Sequence, residues 1–216
     1  MKNENPRHGG NVAGAVNIFA QHKENSAPSL KFQSRADTRN TFASTRLPGF
    51  TDNLTLADAA VLYAKNGVPV FPLHGVRNGR CLCGGCCGQA AGRHPLVPNS
   101  YRAATINLPQ VRKWWRQFPH SNIGIATGAP SGLTVLTAQC DLGMEPLDWH
   151  IAQRGPLPRG PIARTPDGLA VFFKYSGEIS HVVSDGIEVH AAASFVVAPP
   201  SRTVSGHQHE WCRNAA

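Results

Sequence analysis

The chain is short of acids. Its 216 residues hold 13 Asp and Glu against 21 Lys and Arg, a formal net charge of +8 with a pI near 9.5. That balance disfavours cationic partners and suits a polyanion such as nucleic acid, although a solvated basic surface without a partner has the same composition. Long apolar runs are also missing. No stretch of about 18 consecutive apolar residues exists, so no transmembrane helix is expected. The start, Met1-Lys-Asn-Glu-Asn-Pro-Arg7, leads into no apolar signal core, and a cytoplasmic location is the expectation. Residues 1–52 lack sustained periodicity. They read as a mildly basic, mobile tail.

What is present is enough for one domain with a core, since 41% of residues are hydrophobic. The domain is expected over residues 53–212. Thr55 can cap a helix from Leu56 to Asn66 that stops at Gly67. Val68 to Leu73 reads as a strand whose Pro69 and Pro72 suit a sheet edge or strand end. Leu108, Val111, Trp115 and Phe118 share one face of an amphipathic helix. That spacing puts Trp115 in the core and leaves Trp114 open. Arg112 and Lys113 on its other faces are candidate contacts for a phosphate backbone. Asn122 to Gly128 reads as a strand leading directly into a hairpin partner. The segment Ser131-Gly-Leu-Thr-Val-Leu136 begins that partner, a central strand. Pro146 to Gln153 suits a short helix with Leu147 and Ile151 inward.

Further along, Pro166-Asp167-Gly168 marks a tight turn between two antiparallel strands within Ile162–Tyr175. Gly186–His190 and Ala193–Pro200 read as another strand pair, and His209-Glu-Trp211 as a last short strand. Closely spaced, mostly antiparallel strands with helices at the sides make an α+β domain.

Two clusters carry chemistry. The first is Arg80-Cys-Leu-Cys-Gly-Gly-Cys-Cys-Gly88, followed by His94. In a reducing compartment a tight cysteine group points to metal before disulfide. Cys81, Cys83, either Cys86 or Cys87, and His94 can supply a tetrahedral Cys₃His shell. The ion would be zinc in a structural role, because four protein ligands leave no open position. A flexible glycine loop carrying ordinary thiols is the alternative.

The second cluster is the end of the central strand, Thr137-Ala-Gln-Cys-Asp141. Alternate residues of a strand share a face, so Thr137, Gln139 and Asp141 point the same way if the strand runs that far. Two carboxylates two residues apart would hold paired divalent ions for phosphoryl transfer. Here a hydroxyl and an amide precede a single carboxylate.

Residues 55–211 resemble the N-terminal domain of bifunctional DNA primase/polymerases, the Prim-Pol branch of the archaeo-eukaryotic primase superfamily. The resemblance is carried by Tyr-Ala-Lys-Asn-Gly-Val-Pro-Val-Phe-Pro-Leu-His at 63–74, the Cys-rich loop ending in Gly92-Arg-His-Pro95, and Trp114-Trp115. It continues through Asn122-Ile-Gly-Ile-Ala-Thr-Gly128, Ser131–Leu136, Phe172-Phe-Lys-Tyr175 and Phe195-Val-Val-Ala-Pro-Pro-Ser201.

The family copies nucleic acid by two-metal phosphoryl transfer. The resemblance implies a first-motif pair of acids at the positions of Thr137 and Gln139. It implies a phosphate-contacting histidine at Ala170 and a third acid at Glu188. Three of those four positions lack the expected residue. The implied reading is a primase/polymerase-like domain that binds nucleic acid or nucleotide, with catalysis lost or impaired. Arg164, Lys174 and Arg202 join Arg112 and Lys113 as candidate DNA or nucleotide contacts. The rival reading is an active enzyme with a site rebuilt on Asp141 and Glu188, using Mg²⁺ or Mn²⁺. A zinc-stabilised interaction module is the third. The sequence ends soon after the domain, so a helicase or other replication protein would be a separate partner. No membrane partner is expected.

Overall fold

The structure, a computed structural model, describes residue 47 and residues 54–85, 87–157 and 160–212. The tail reading of residues 1–52 therefore lies outside the described residues except at Leu47, which is buried against the main core. Three α-helices are described: α1 (Leu56–Lys65), α2 (Leu108–Gln117) and α3 (Met144–Arg154). The strands are β1 (Val70–Leu73), β2 (Val76–Arg77), β3 (Arg80–Cys81), β4 (Asn122–Ala126), β5 (Leu133–Gln139) and β6 (Ile162–Thr165). They continue with β7 (Gly168–Lys174), β8 (His181–Ser184), β9 (Ile187–His190), β10 (Phe195–Ala198) and β11 (Glu210–Trp211).

Helices α1 and α2 begin where the sequence supplies a cap. Thr55 Oγ1 accepts from Asp58 N at 3.1 Å at the start of α1. Asn107 Oδ1 accepts from Gln110 N at 3.0 Å at the start of α2. Each bond satisfies an amide the helix cannot. On α2, Trp115 is buried and donates its Nε1–H to Ser121 O at 3.1 Å, while Trp114 packs partly buried against the same core.

The strands form two larger antiparallel sheets, and the α+β expectation holds. Sheet one has the order β1-β4-β10 and sheet two the order β11-β6-β7-β5-β9-β8. Strand β1 lies at an edge, which accommodates Pro72. Two expected pairings are replaced. Strand β4 does not form a hairpin with β5. It runs between β1 and β10, and only a bridge from Gly128 to Leu133 joins the two segments. All five residues of β4 are buried, which fits a central strand covered on both faces. Nor do β9 and β10 pair with each other. β9 pairs with β5 and β8, whereas β10 pairs with β4. Between them Ala193 takes φ +56°, and Thr127 bonds Ser194 O and Ala191 O, which draws the chain across to sheet one. Strand β8 was not expected, although the Asp185-Gly186 turn that joins it to β9 is a hairpin signal.

Strand alternation divides sheet two into two faces. Leu133, Val135, Ala163, Ala170 and Phe172 lie on one face, in the main core with α1, α2, Val70, Ile123, Ile125, Val196 and Ala198. Ala138 and Ile187 lie on the other, where Met144, Leu147 and Ile151 of α3 cover them. Two polar anchors tie elements to one another. Tyr63 is fully buried. Its hydroxyl donates to Pro199 O at 2.8 Å and accepts from Trp211 Nε1 at 3.0 Å, so α1 is tied to both sheets. Glu178 fixes the loop after β7 to β5: its Oε2 accepts from Thr134 Oγ1 at 2.9 Å and from Ser176 N at 3.0 Å, and its Oε1 from the Ser176 hydroxyl. Burial alone would raise the Glu178 pKa, but these bonds outweigh it and bring it to about 2.

Two predictions follow from the anchors. Tyr63→Phe leaves a carbonyl and an indole N–H without a partner, and should lower unfolding free energy by about 1–3 kcal/mol in a urea titration. Because the Glu178 pKa is depressed on folding, its contribution is present in full above about pH 5 and is lost as pH falls toward 2. Glu178→Gln should therefore melt below the wild type at pH 7, with the gap closing as melts are repeated at lower pH.

Candidate metal cluster and strand-end site

The Cys-rich segment starts from a hairpin. Asn78 and Gly79 both take positive φ, 51° and 70°, the geometry of a type I′ turn between β2 and β3. The Asn-Gly pair is a sequence signal for this hairpin that the motif reading passed over. Strand β3 ends at Cys81 and so delivers the first candidate ligand. The ligand atoms of Cys81, Cys83, Cys87 and His94 all lie within 4.8 Å of one another. Cys81 Sγ is 3.3 Å from His94 Nε2, and Cys83 Sγ is 2.8 Å from Cys87 Sγ. Cys86 lies outside the described residues, so of the two alternatives the structure describes only Cys87.

Electrostatics at the cluster favour a cation. Burial works against a Cys81 thiolate, but the Cys83 and Gly92 N–H groups and His94 outweigh it and lower its pKa. Cys83 is lowered by Cys87 and by the Gly85 N–H. Cys87 is pushed up, chiefly by Cys83. Three thiols this close cannot all be thiolates unless a positive charge sits among them. A metal ion would supply that charge and release the proton, and the Cys₃His set fits a tetrahedral shell. The His74 ring stacks on His94 at 4.3 Å, and His74 N donates to His94 O, which fixes the fourth ligand from behind.

The loop is also tied to both sheets. Asn122 Nδ2 donates to Gly92 O at 2.8 Å, on the sheet-one side. Arg93, next to the ligand His94, forms an ion pair with Asp167 in the β6–β7 turn of sheet two. Close by, His209 is buried with both ring nitrogens unpartnered among the described residues. Burial and then Arg93 bring its pKa down to about 4, so it is neutral near pH 7.

At the strand end, register brings the motif positions together. Thr137 is the direct partner of Ala170 on β7 and of Glu188 on β9. Thr137 and two residues 33 and 51 positions further along the chain thus form one row on one face of sheet two. Gln139 follows on the same face, opposite Gly168. Gly168 cannot be replaced freely, since an added Cβ would stand 1.9 Å from Ala138 O. His190 lies two residues beyond Glu188 on this face. Its Nε2 is 3.2 Å from Thr137 Oγ1 and 3.5 Å from Glu188 Oε2, and its Nδ1 is 3.2 Å from Ser194 Oγ. The sequence reading placed His190 only at the end of a strand and gave it no role. Its i, i+2 relation to Glu188 was the available signal.

Asp141 does not join the row. Strand β5 ends at Gln139, where Cys140 N donates to Asp167 O and Gly143 N to Gln139 O, so the chain turns into α3. Asp141 is exposed in that turn. The donor set of the row, a hydroxyl, an amide, a methyl and one carboxylate, does not fit a pair of Mg²⁺ ions, which need several hard, charged oxygens.

The candidate basic contacts sit on separate elements. Arg112 and Lys113 are exposed on α2. Arg164 on β6 and Lys174 on β7 are exposed on opposite faces of sheet two, because their strand partners Leu169 and Leu133 are. Arg202 lines a polar cleft of about 310 Å³ with Thr55, His120, Asn122 and Gln208, away from the Thr137 row. Among the described residues no helix is long and apolar enough to cross a membrane.

The family model described as bifunctional DNA primase/polymerase, N-terminal (Prim-Pol), matches residues 60–216, from the middle of α1 through every strand of both sheets. No curated protein matches the chain.

Proposed function

Because this chain belongs to the bifunctional DNA primase/polymerase N-terminal family, we propose that it is a primase/polymerase-like domain that binds nucleic acid or nucleotide and has lost or weakened the two-metal reaction. One observation carries the reading. The row in which two-metal chemistry needs acids and a phosphate-binding histidine holds Thr137, Ala170 and Glu188, with Gln139 beside it. Replacing a bound carboxylate by a hydroxyl or an amide removes both a charge and a hard ligand. Catalysis by paired ions then has no electrostatic support where the attacking and leaving oxygens carry charge. Glu188 alone cannot position two ions, and Asp141 lies past the strand end. The rebuilt Asp141–Glu188 site is accordingly the weaker alternative.

Binding is a separate question from catalysis. The net charge of +8 favours a phosphate backbone, and Arg112, Lys113, Arg164, Lys174 and Arg202 are the contacts we propose for it. The Cys81, Cys83, Cys87 and His94 cluster takes zinc in this reading. Its role is structural: the ion holds the loop that joins His74 and Asn122 to Asp167.

Two experiments test these statements. Single-stranded DNA should bind in fluorescence anisotropy, with affinity falling about tenfold or more between 50 and 200 mM salt. The same samples should extend no primer with Mg²⁺ or Mn²⁺, and robust extension would overturn the reading. For the cluster, elemental analysis should find about one zinc per chain. Cys87→Ser should lose the metal and melt at lower temperature, whereas full thermal stability without zinc would show that the ion is dispensable.

A further inference from the structure

The backbone of Arg202 is fixed on both sides while its side chain is free. Arg202 N donates to Asn122 Oδ1 at 3.0 Å, and Asn122 Nδ2 donates back to Arg202 O at 2.7 Å. Asn122 is 1% exposed and spends its other amide hydrogen on Gly92 O, so its hydrogen-bonding groups are all in use. On the far side Arg202 bridges to Gln208. Among the described residues the guanidinium itself has no hydrogen bond or ion pair. An exposed arginine on a locked backbone presents its planar fork to a phosphate or carboxylate with little further ordering of the chain.

The cleft that Arg202 lines holds about 310 Å³, near the lower bound of small-molecule sites and sized for one nucleotide unit rather than a duplex. Its lining is of two kinds. Arg202, His120 and Gln208 offer N–H donors, whereas Leu54, Leu56 and Pro200 offer apolar surface. No acid lines it among the described residues. Asp58 is held by the Thr55 hydroxyl at 2.7 Å and answers the start of α1, which therefore adds no net attraction. The β2–β3 hairpin reaches the cleft through Val76, and its next pair is Arg77 opposite Arg80. Like charges directly across a ladder repel, and among the described residues neither arginine has an acid partner. An anion beside the hairpin relieves that repulsion.

We propose that this cleft binds the phosphate-bearing end of a nucleotide, with Arg202 on the phosphate and the apolar lining against the base and sugar. The ligand chemistry is a phosphomonoester on a nucleoside, carried either by a free nucleotide or by the terminus of a strand. The proposal rests on the nucleic-acid or nucleotide reading above and adds to it a place and a ligand class. None of Thr137, Ala170, Glu188 and His190 lines the cleft. The site is therefore separate from the strand-end row, and its positive charge comes from arginine rather than from a metal ion.

The test is a calorimetric titration of the full chain with deoxyadenosine 5′-monophosphate and, separately, with deoxyadenosine, both at low salt and without added divalent ions. The monophosphate should bind at one per chain, and the nucleoside about tenfold or more weakly, the loss expected when a charged hydrogen bond is removed. Arg202→Gln keeps the backbone bonds to Asn122, so it should melt like the wild type yet bind the monophosphate about tenfold or more weakly. On the wild type, the amide signals of Leu56, Val76 and Gln208 should shift during the titration while those of Thr137 and Glu188 stay in place, a readout that needs no variant to fold. No binding, equal affinity for the nucleoside, unchanged affinity in Arg202→Gln, or shifts confined to the Thr137 row would each overturn the proposal. A short oligonucleotide with a 5′-phosphate, compared with its 5′-hydroxyl form, separates the two sources. Tighter binding by the phosphorylated strand assigns the cleft to a strand end, and equal binding assigns it to the free nucleotide. The 5′-hydroxyl strand reports general DNA binding, which can fail while the cleft stands, just as the cleft can fail while strand binding stands.

Discussion

Strand β5 is hydrogen-bonded on both sides, to β7 over seven residues and to β9 over four, and this double pairing fixes the rest of the molecule. A shift of one residue would move every β5 side chain to the opposite face of the sheet. Leu133 and Val135 would leave the main core, and Ala138 would leave the layer under α3. Because both neighbours depend on the same register, the row Ala170–Thr137–Glu188 is set by the burial of residues that take no part in it. The core therefore holds the site positions in place whether or not their side chains suit a reaction. That explains how the family architecture can persist over residues 60–216 whatever side chains stand in the row.

The Cys-rich loop depends on the same strand from the other direction. Arg93 pairs with Asp167, and the Asp167 carbonyl accepts from Cys140 N at 2.7 Å. The β6–β7 turn thus stands between the cluster and the end of β5. On the other side of the loop, Asn122 at the start of β4 binds Gly92 O and both backbone groups of Arg202. The loop spans two sheets that share a core but no strand pairing. An ion among the three thiols and His94 would stiffen that span at its centre, where the chain itself offers mostly glycine and short turns.

Much of this was legible in the sequence for a physical reason: local signals report local structure. Thr55 is a polar cap before an apolar stripe, and α1 begins there; Asn107 caps α2 in the same way, although that signal was not used. Pro166-Asp167-Gly168 is a turn by its own chemistry, and β6 and β7 flank it. The Cys₃His grouping was visible because its ligands lie close in sequence, although Asn78-Gly79, which builds its hairpin, was not used. What failed was the partnering of strands. β4 and β5 are neighbours in sequence, as are β9 and β10, yet each pair is split between the sheets. Nothing local in Asn122–Ala126 says that both of its edges are taken by β1 and β10. The Thr127 and Ala193 geometry that carries the chain from β9 to sheet one depends on contacts across 64 residues. The same limit applied to the site. The resemblance assigned Thr137, Ala170 and Glu188 to separate motifs, but only the register sets them in one row with His190 beside Thr137.

The position of His190 also bears on how such a site changes without loss of fold. Acids placed side by side at a strand end repel one another and cost stability unless cations are bound. Thr137 in place of an acid removes that repulsion, and it can donate the proton that an acid in its ionised form lacks. His190 then gains a hydrogen-bond partner at 3.2 Å and keeps Glu188 within 3.5 Å. The polar face at this end of sheet two is satisfied from within the chain, without two bound ions. A row of acids would lose stability when its cations are removed. The row present here carries one carboxylate, Glu188, beside neutral groups, so the repulsion that paired acids would bring is absent. The Thr137 hydroxyl therefore steadies this end of the sheet through His190, at the position where paired-ion chemistry would need a charged ligand.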